Sequence, residues 1–275
     1  MKPIFSDLVN IFNLFGGNVA HKNSNNWSPY KGKNKGSSGG KHRKPQRVFK
    51  FNEADDRLLD IFTNHGFEDK VDHPTRHQFV KFYQLLMENQ QKQNFTRLVS
   101  LKDIAIKHFI DCMMVNKLIP LRFPLLDMGT GPGFPGIPLK ILVGPEKKII
   151  LAEGVQKRVN FLKMVREELD LQNLDIIGRN VNSDFQYPVE GVITRAVEDT
   201  RNTLGNVIGC LQVGGCVYLM KGPNVDPEIE VALKHWGDYY QLEKDKSYTL
   251  PNTPHDRRLL VFRKTKEWVQ ETNDQ

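Results

Sequence analysis

A segment rich in glycine and proline, residues 127–138, constrains the fold more than any other feature of this chain. It begins Asp127-Met-Gly-Thr-Gly-Pro-Gly-Phe-Pro-Gly136 and directly follows an apolar run over residues 123–126. Glycines permit a tight turn and let a ligand approach the backbone closely. A helix that begins here would offer unpaired N–H groups to an anionic group of a ligand. The segment therefore predicts a strand, a ligand-binding loop and a helix in succession.

The spacing of the glycines separates three classes of ligand loop. A P-loop needs Lys and then Ser or Thr after its last glycine, where this chain has Ile137 and Pro138, so nucleotide hydrolysis is not expected. The dinucleotide fingerprint G-x-G-x-x-G does not fit either, since the glycines are Gly129, Gly131 and Gly133. An acid followed by G-x-G-x-G instead resembles the cofactor loop of class I S-adenosylmethionine methyltransferases. A tight turn without a ligand is the alternative.

Short apolar runs alternate with helical stretches after residue 120. The runs cover residues 123–126, 148–153, 174–177, 191–194, 216–220, 239–249 and 258–264. Helices between strands predict right-handed crossovers and a mostly parallel sheet. The helix predicted over 155–169 would bury Val155, Val159 and Leu162. The last two runs are joined by a turn at 251–254, so we expect an antiparallel pair at one sheet edge. The fold class is α/β, Rossmann-like, with that antiparallel edge.

The region before the sheet has helical periodicity. Apolar residues recur at helical spacing at Phe79, Phe82, Tyr83 and Leu86, and again at Ile106, Phe109, Ile110 and Met113. We therefore predict a small helical subdomain over 51–119, a methyltransferase domain over 120–267 and a C-terminal tail over 268–275.

We predict that residues 1–50 form a basic, largely disordered extension. They hold ten Lys or Arg and one acid, whereas residues 51–275 carry a net charge of −2. The stretch 21–47 has too few apolar residues to offset the entropy of ordering. It is either a solubilising tail or an electrostatic arm for RNA. An amphipathic helix within residues 1–20 is plausible, but no secretory signal or membrane span is evident, so we expect a cytoplasmic protein.

The resemblance becomes closer at Gly129-Thr-Gly-Pro-Gly-Phe-Pro-Gly-Ile-Pro-Leu139. This run resembles the signature of the RsmG family, also called glucose-inhibited division protein B. Its members are bacterial guanine-N7 methyltransferases of small-subunit rRNA. Shorter family-like motifs occur at Asn94–Thr96, Lys107–Asp111, Gln156–Leu162, Gly178–Asn182, Thr194–Val197, Leu219–Gly222 and Asp256–Phe262. The resemblance spans about residues 52–265.

The loop pattern and the resemblance together imply a set of residues that bind S-adenosylmethionine. This set is Asp127, Gly129, Gly131, Gly133, Phe134, Glu153, Asn180, Val181 and Arg195. Glu153 ends the second predicted strand, where an acid can accept hydrogen bonds from ribose hydroxyls. The family usually has an acid beside Val181, which is absent here. Arg195 is also the candidate for orienting the reacting guanine; the alternative for it is a salt bridge within the sheet.

Five basic residues are candidates for contacting RNA. Lys107 and His108 would shape the pocket, whereas Arg158, Lys221 and Arg257 would contact phosphates. A solvated surface charge is the alternative for each, and Lys107 with Asp111 could form a surface ion pair at i and i+4.

The sequence also departs from the family at the RNA-docking region. Asn89-Gln90 stands where the family has Trp-Asn, and Cys112 replaces a serine. His73 and His77 are four residues apart but lack an H-E-x-x-H motif, so no metal site is predicted. These departures bear on the target rather than on the cofactor loop.

The absent motifs narrow the chemistry. A methyl transfer to guanine N7 requires alignment and no general base, because N7 carries a lone pair and no proton. Transfer to pyrimidine C5 needs a thiolate nucleophile, whereas Cys210 and Cys216 have the pattern of core residues. The prediction is methylation of N7 of one guanine in 16S rRNA, as free rRNA or in a small-subunit precursor, by a monomer. The alternatives are another RNA or a small molecule as substrate, and a non-catalytic RNA-binding protein.

Overall fold

The computed structural model describes residues 47–93, 95–195 and 197–269. Most of the predicted basic extension, with its amphipathic stretch, lies outside these residues, as do Asn94 and the end of the C-terminal tail. The predictions made for those segments stay predictions.

A seven-stranded sheet forms the centre of the fold. Its strands are β1 (Leu125–Met128), β2 (Ile149–Ala152), β3 (Leu174–Ile177), β4 (Val189–Arg195), β5 (Leu211–Lys221), β6 (Tyr240–Thr249) and β7 (Asp256–Lys264). The spatial order is β3-β2-β1-β4-β5-β7-β6. The first five strands are parallel, and β7 pairs antiparallel with both β5 and β6. The predicted α/β, Rossmann-like fold with a mostly parallel sheet and an antiparallel edge is confirmed.

The helices lie before and between these strands. They are α1 (Phe51–Asn64), α2 (His73–Gln93), α3 (Leu101–Ile104), α4 (Asp111–Leu118), α5 (Gly136–Val143), α6 (Gln156–Glu168), α7 (Thr200–Val207) and α8 (Asp226–Trp236), with a 3₁₀ turn at Glu68–Lys70. A π-helical stretch, Ala105–Ile110, joins α3 to α4 without a break. Among the described residues, no helix is both long enough and apolar enough to cross a membrane.

The register of the central strands aligns the ends that carry the predicted site. Asp127 of β1 lies opposite Leu151 of β2 and Ile193 of β4. Every residue of β1 and β2 is buried, as expected for parallel strands covered on both faces. The carboxyl ends of these three strands therefore meet at one edge, directly before the glycine loop. The first strand begins two residues later than predicted, at Leu125.

The N-terminal helices share one hydrophobic core with the sheet. The predicted face of α2 is fully buried, from Phe79 to Leu86. The ring centroid of Phe82 lies 5.3 Å from that of Phe134 in the glycine loop, and the centroid of Phe109 lies 6.2 Å from it. These rings fix the helical region against the loop. The proposed boundary at residue 119 stays a prediction.

The prediction that Val155 belongs to the buried face of α6 is wrong. Val155 is 42% exposed and precedes the helix, whereas Val159 and Leu162 are buried as expected. Helical spacing alone cannot show where the first turn begins. Cys210 and Cys216 are buried, which confirms their assignment to the core.

Candidate functional site

The glycine loop turns the chain from the end of β1 into α5. Gly129, Gly131 and Gly133 have φ angles of 68°, 61° and 109°, in the left-handed region that L side chains rarely adopt. A β-carbon at Gly129 would lie 2.8 Å from Cγ2 of Val197. The first of these glycines is therefore required both for its backbone angle and for close packing.

Asp127 fixes the shape of this loop from below. Its Oδ2 accepts hydrogen bonds from the Thr130 hydroxyl and from the Gly136 backbone N–H, the latter at 2.7 Å. Burial raises the pKa of Asp127 to about 7, against the lowering effect of these hydrogen bonds. The residue has no exposed surface. Asp127 is thus placed to hold the loop. In this structure it has no exposed atom with which to contact the cofactor directly.

Glu153 connects the loop to the end of β2. Its Oε2 accepts the Gly131 N–H at 3.0 Å, and its Oε1 accepts the Val155 N–H at 2.8 Å. Nη1 of Arg158 lies 3.5 Å from the same Oε2. The carboxylate, only 5% exposed, lies where the sequence placed it. Arg158 is joined to the cofactor region rather than to the basic cavity described below.

The segment after β3 lies beside the end of β2, where Asn180 approaches Gly154, the residue that follows Glu153. Asn180 is exposed, and its Cγ would lie 2.9 Å from a β-carbon at Gly154. Val181 is buried and packs with the core on one face of the sheet. Asn180 therefore offers a polar side chain beside the end of β2, whereas Val181 offers apolar packing.

Arg195 ends β4 and makes a dense set of contacts with the helical region. Its Nη1 donates to the Lys107 carbonyl at 3.2 Å and lies 3.4 Å from Oδ2 of Asp111. Its Nη2 lies 2.8 Å from Nδ1 of His108. Its guanidinium is 5.4 Å from the ring centroid of Phe134. Arg195 therefore does form a salt bridge, as its alternative predicted, but the partner lies in α4 rather than within the sheet.

A cavity of about 360 Å³ opens beside Arg195. Its lining residues are Lys107, His108, Asp111, Arg195, Met220, Lys221, Gly222 and Arg257. Four of the five predicted RNA-contacting residues thus come together, from the helical region and from β5 and β7. The fifth, Arg158, is not among the lining residues.

Asp111 was missed as a site residue. It is 2% exposed and accepts hydrogen bonds from Arg195, from Nε of Arg257 at 3.2 Å and from the Tyr248 hydroxyl at 3.5 Å. The surface ion pair with Lys107 is wrong, because Lys107 pairs with Asp103 at 2.8 Å. Only its place four residues after Lys107 in a family-like motif could have drawn attention to it.

Two other lining residues are held by their neighbours. The Lys221 ammonium donates to the Glu198 carbonyl and to Oε2 of Glu228, both at 2.8 Å. Burial and the Arg195 charge lower the pKa of His108 to about 3, so its ring is neutral. Neither side chain is a loosely solvated surface group.

His73 and His77 also have an unforeseen neighbour. With Asp55 they place one ligand atom each within 4.8 Å of one another. Arg76, however, donates to both oxygens of Asp55, at 2.8 and 2.9 Å. That guanidinium already neutralises the carboxylate and would repel a metal cation.

This chain is similar to several known proteins. The family described as rRNA small subunit methyltransferase G matches residues 75–259. A protein of Bdellovibrio bacteriovorus named ribosomal RNA small subunit methyltransferase G 2 is 61% identical over 227 residues, covering 82% of this chain and 88% of that protein. A protein of the same name in Syntrophobacter fumaroxidans is 45% identical, covering 68% of this chain and 37% of that one. The solved structure of Aeropyrum pernix fibrillarin with bound S-adenosylmethionine matches 55% of this chain and 72% of its own at 14% identity and a TM-score of 0.44.

Proposed function

Because this chain belongs to the rRNA small subunit methyltransferase G family, we propose that it methylates N7 of one guanine in 16S rRNA. The methyl donor is S-adenosylmethionine, the cofactor of this enzyme family. The substrate is the rRNA, free or in a precursor of the small ribosomal subunit. The enzyme acts in the cytoplasm as a monomer. Sedimentation of the purified chain tests the monomeric state.

The observation that carries the proposal is the basic cavity beside the glycine loop. Lys107, Arg195, Lys221 and Arg257 line it, and Phe134 of the loop packs against its wall through Arg195. A polyanion such as RNA gains from such a cluster of cations. A nucleotide that enters the cavity would lie next to the cofactor loop.

The cofactor is held by the residues around the ends of β1, β2, β3 and β4. Gly129, Gly131 and Gly133 let it approach the backbone, and Phe134, Asn180, Val181 and Arg195 surround it. The Glu153 carboxylate retains lone pairs for ribose hydroxyls while it accepts N–H groups of the loop. Asp127 keeps the loop in this shape.

The state of the cavity residues favours N7 as the acceptor. Bound S-adenosylmethionine would supply the methyl group, which would pass to the ring-plane lone pair of N7 while sulfur keeps the electron pair of the broken carbon–sulfur bond. No proton moves in this step, so orientation supplies the rate. His108 has both ring nitrogens in hydrogen bonds, and Asp111 is bound by two guanidinium groups. The neutral His108 ring therefore has no free lone pair with which to accept the proton that methylation of an exocyclic amine would release.

Arg257 is the residue we assign to guanine selection. Beside N7, guanine carries the O6 acceptor, whereas adenine carries an amine donor at the same edge. Arg257 lines the cavity. Its Nε donates a hydrogen bond to Asp111, and its Nη1 donates one to the Asp256 carbonyl. A guanidinium so oriented favours O6 and disfavours a second donor.

Transfer of labelled methyl to small-subunit rRNA that lacks its modifications tests the function, with chain scission selective for N7-methylguanine locating the product. We expect one modified guanine. In Arg257→Gln the rate should fall at least about tenfold, as expected for the loss of a charged contact, with unchanged affinity for S-adenosylmethionine. Arg258→Gln is the matched control, because Arg258 pairs with Asp245 at 2.6 Å instead.

Other outcomes would reject the proposal and identify the alternative. Cofactor binding without methylation of this rRNA would indicate another RNA or a small molecule. Retention of RNA without affinity for the cofactor would indicate a non-catalytic RNA-binding protein.

A further inference from the structure

The motif around Thr96 has no part in the reaction described so far, and the motif around His108 has been described only as part of the cavity wall. The structure joins them. Oγ1 of Thr96 lies 3.0 Å from Nε2 of His108. The other ring nitrogen, Nδ1, lies 2.8 Å from Nη2 of Arg195. The histidine thus connects a hydroxyl group in the helical region to the guanidinium at the end of β4.

The direction of these hydrogen bonds is fixed by chemistry. A guanidinium can only donate, so Nδ1 of His108 accepts from Arg195. The neutral ring then carries its hydrogen on Nε2 and donates it to Thr96. Burial and the Arg195 charge keep the pKa of His108 at about 3. A protonated ring would direct an N–H at Arg195, which that cation opposes.

Thr96 is itself held by α2. The side-chain amide of Gln90 donates to the Thr96 carbonyl at 2.6 Å, and the Thr96 N–H donates to Oε1 of Gln90 at 2.9 Å. Gln90 is 4% exposed, so both bonds are sheltered from water. Gln90 is one of the residues at which this sequence departs from the family pattern.

The ring of His108 has little freedom to turn. It stacks on Phe134 with centroids 4.3 Å apart and an interplanar angle of 19°. Phe134 belongs to the glycine loop. The hydrogen-bonded chain of Gln90, Thr96, His108 and Arg195 therefore meets the glycine loop at Phe134, through His108 and Arg195.

We propose that Gln90, Thr96 and His108 are positioning residues that hold Arg195 in the orientation needed for S-adenosylmethionine. This inference rests on the proposed contact of Arg195 with the cofactor. It assigns the helical region a role in cofactor binding in addition to RNA docking.

Thr96→Val tests the chain, because valine keeps the shape and removes the hydroxyl oxygen that accepts from Nε2 of His108 and from the Leu98 N–H. The buried Nε2–H is then left unpaired, and we expect S-adenosylmethionine to bind about fivefold or more weakly by calorimetry. Thr96→Ser should restore binding to within about threefold, because it retains the acceptor. The matched control is Thr203→Val in α7. This variant removes a buried threonine hydroxyl that donates to the Asp199 backbone carbonyl, and it should leave binding unchanged.

Arg195→Gln distinguishes failure of this inference from failure of the cofactor assignment. If Arg195→Gln weakens binding but Thr96→Val does not, the positioning role is refuted and the cofactor site stands. If Arg195→Gln binds the cofactor normally, both the contact and the inference built on it are refuted. Equal weakening in Thr96→Val and Thr203→Val would also refute the inference.

A second measurement uses the unaltered protein, in case Thr96→Val fails to fold. Nitrogen-15 NMR of the histidine rings, assigned with His108→Gln, should show His108 neutral with its hydrogen on Nε2 from pH 8 down to pH 5. This whole range lies above the lowered pKa of His108, about 3. A His108 that titrates near its ordinary pKa of about 6.5, or that carries its hydrogen on Nδ1, would overturn the proposed chain of hydrogen bonds.

Discussion

The substitution Asp111→Asn should destabilise the protein strongly. The carboxylate is 2% exposed and lies between Arg195 and Arg257. Asparagine has nearly the same shape but no charge, so two guanidinium groups would lose their counter-ion. Removing one partner of a buried ion pair costs about 3–5 kcal/mol.

The distances place the expected cost of Asp111→Asn at the lower end of that range. The shorter contact, from Arg257, is 3.2 Å, and the contact from Arg195 is 3.4 Å, whereas strong charge-assisted bonds measure about 2.7–2.9 Å. Both arginines also keep some contact with solvent. We therefore expect the free energy of unfolding to fall by about 3 kcal/mol.

Urea unfolding followed by circular dichroism measures this change. The midpoint should fall while the slope with denaturant stays constant, and the melting temperature should drop by roughly 6–12 °C for a domain of this size. The control is Asp226→Asn, which breaks the 2.7 Å contact between Arg258 and a side chain that is 69% exposed. Because this ion pair is exposed, its loss should leave the unfolding midpoint close to that of the unaltered protein. Equal midpoints for the two variants would refute the view that Asp111 compensates the arginines.

Three further predictions follow from the loop and the extension. Gly131→Asp should abolish binding of S-adenosylmethionine by calorimetry, whereas Gly66→Asp, also at positive φ with open space around it, should cost stability and leave binding intact; equal binding in both would refute the loop assignment. Because burial raises the pKa of Asp127 to about 7, the folded state holds a proton that the unfolded state has released, so stability relative to Asp127→Asn should fall as pH rises from about 4 to 7; parallel pH curves in urea melts would contradict this. Deleting residues 1–46 should weaken RNA binding and make it less dependent on salt, without changing the affinity for the cofactor. Equal methylation rates of the deleted and full-length chains at low salt would refute the hypothesis that this extension is an RNA-binding arm.

Local patterns identified most elements of the fold. Alternating apolar runs and helical spacing predicted the seven strands and the buried face from Phe79 to Leu86, because such patterns report which side of a segment is buried. The errors lie at element boundaries. Val155 matched the helical period, yet it stands before the first turn, and the period gives no information on where hydrogen bonding begins.

The sequence likewise placed Glu153 and the three loop glycines at the strand ends. Glycine spacing reflects steric limits on the backbone, which are local and therefore readable. The loop pattern also suggested that Asp127 faces the cofactor, but the strand register buries it under the loop. Whether an acid faces ligand or backbone depends on the path of the loop around it.

Sequence patterns alone predicted the class of fold, a glycine loop suited to the cofactor and a set of cationic residues that we propose for RNA binding. Only the tertiary structure decided which of those cations share a cavity and what orders them. Asp111 meets Arg195 and Arg257 across 84 and 146 residues of chain, and Thr96 meets His108 only because α2 fixes it. Such contacts depend on the order of strands in the sheet and on the packing of the helices against it. No local periodicity encodes them, because periodicity describes one segment at a time and an ion pair joins two.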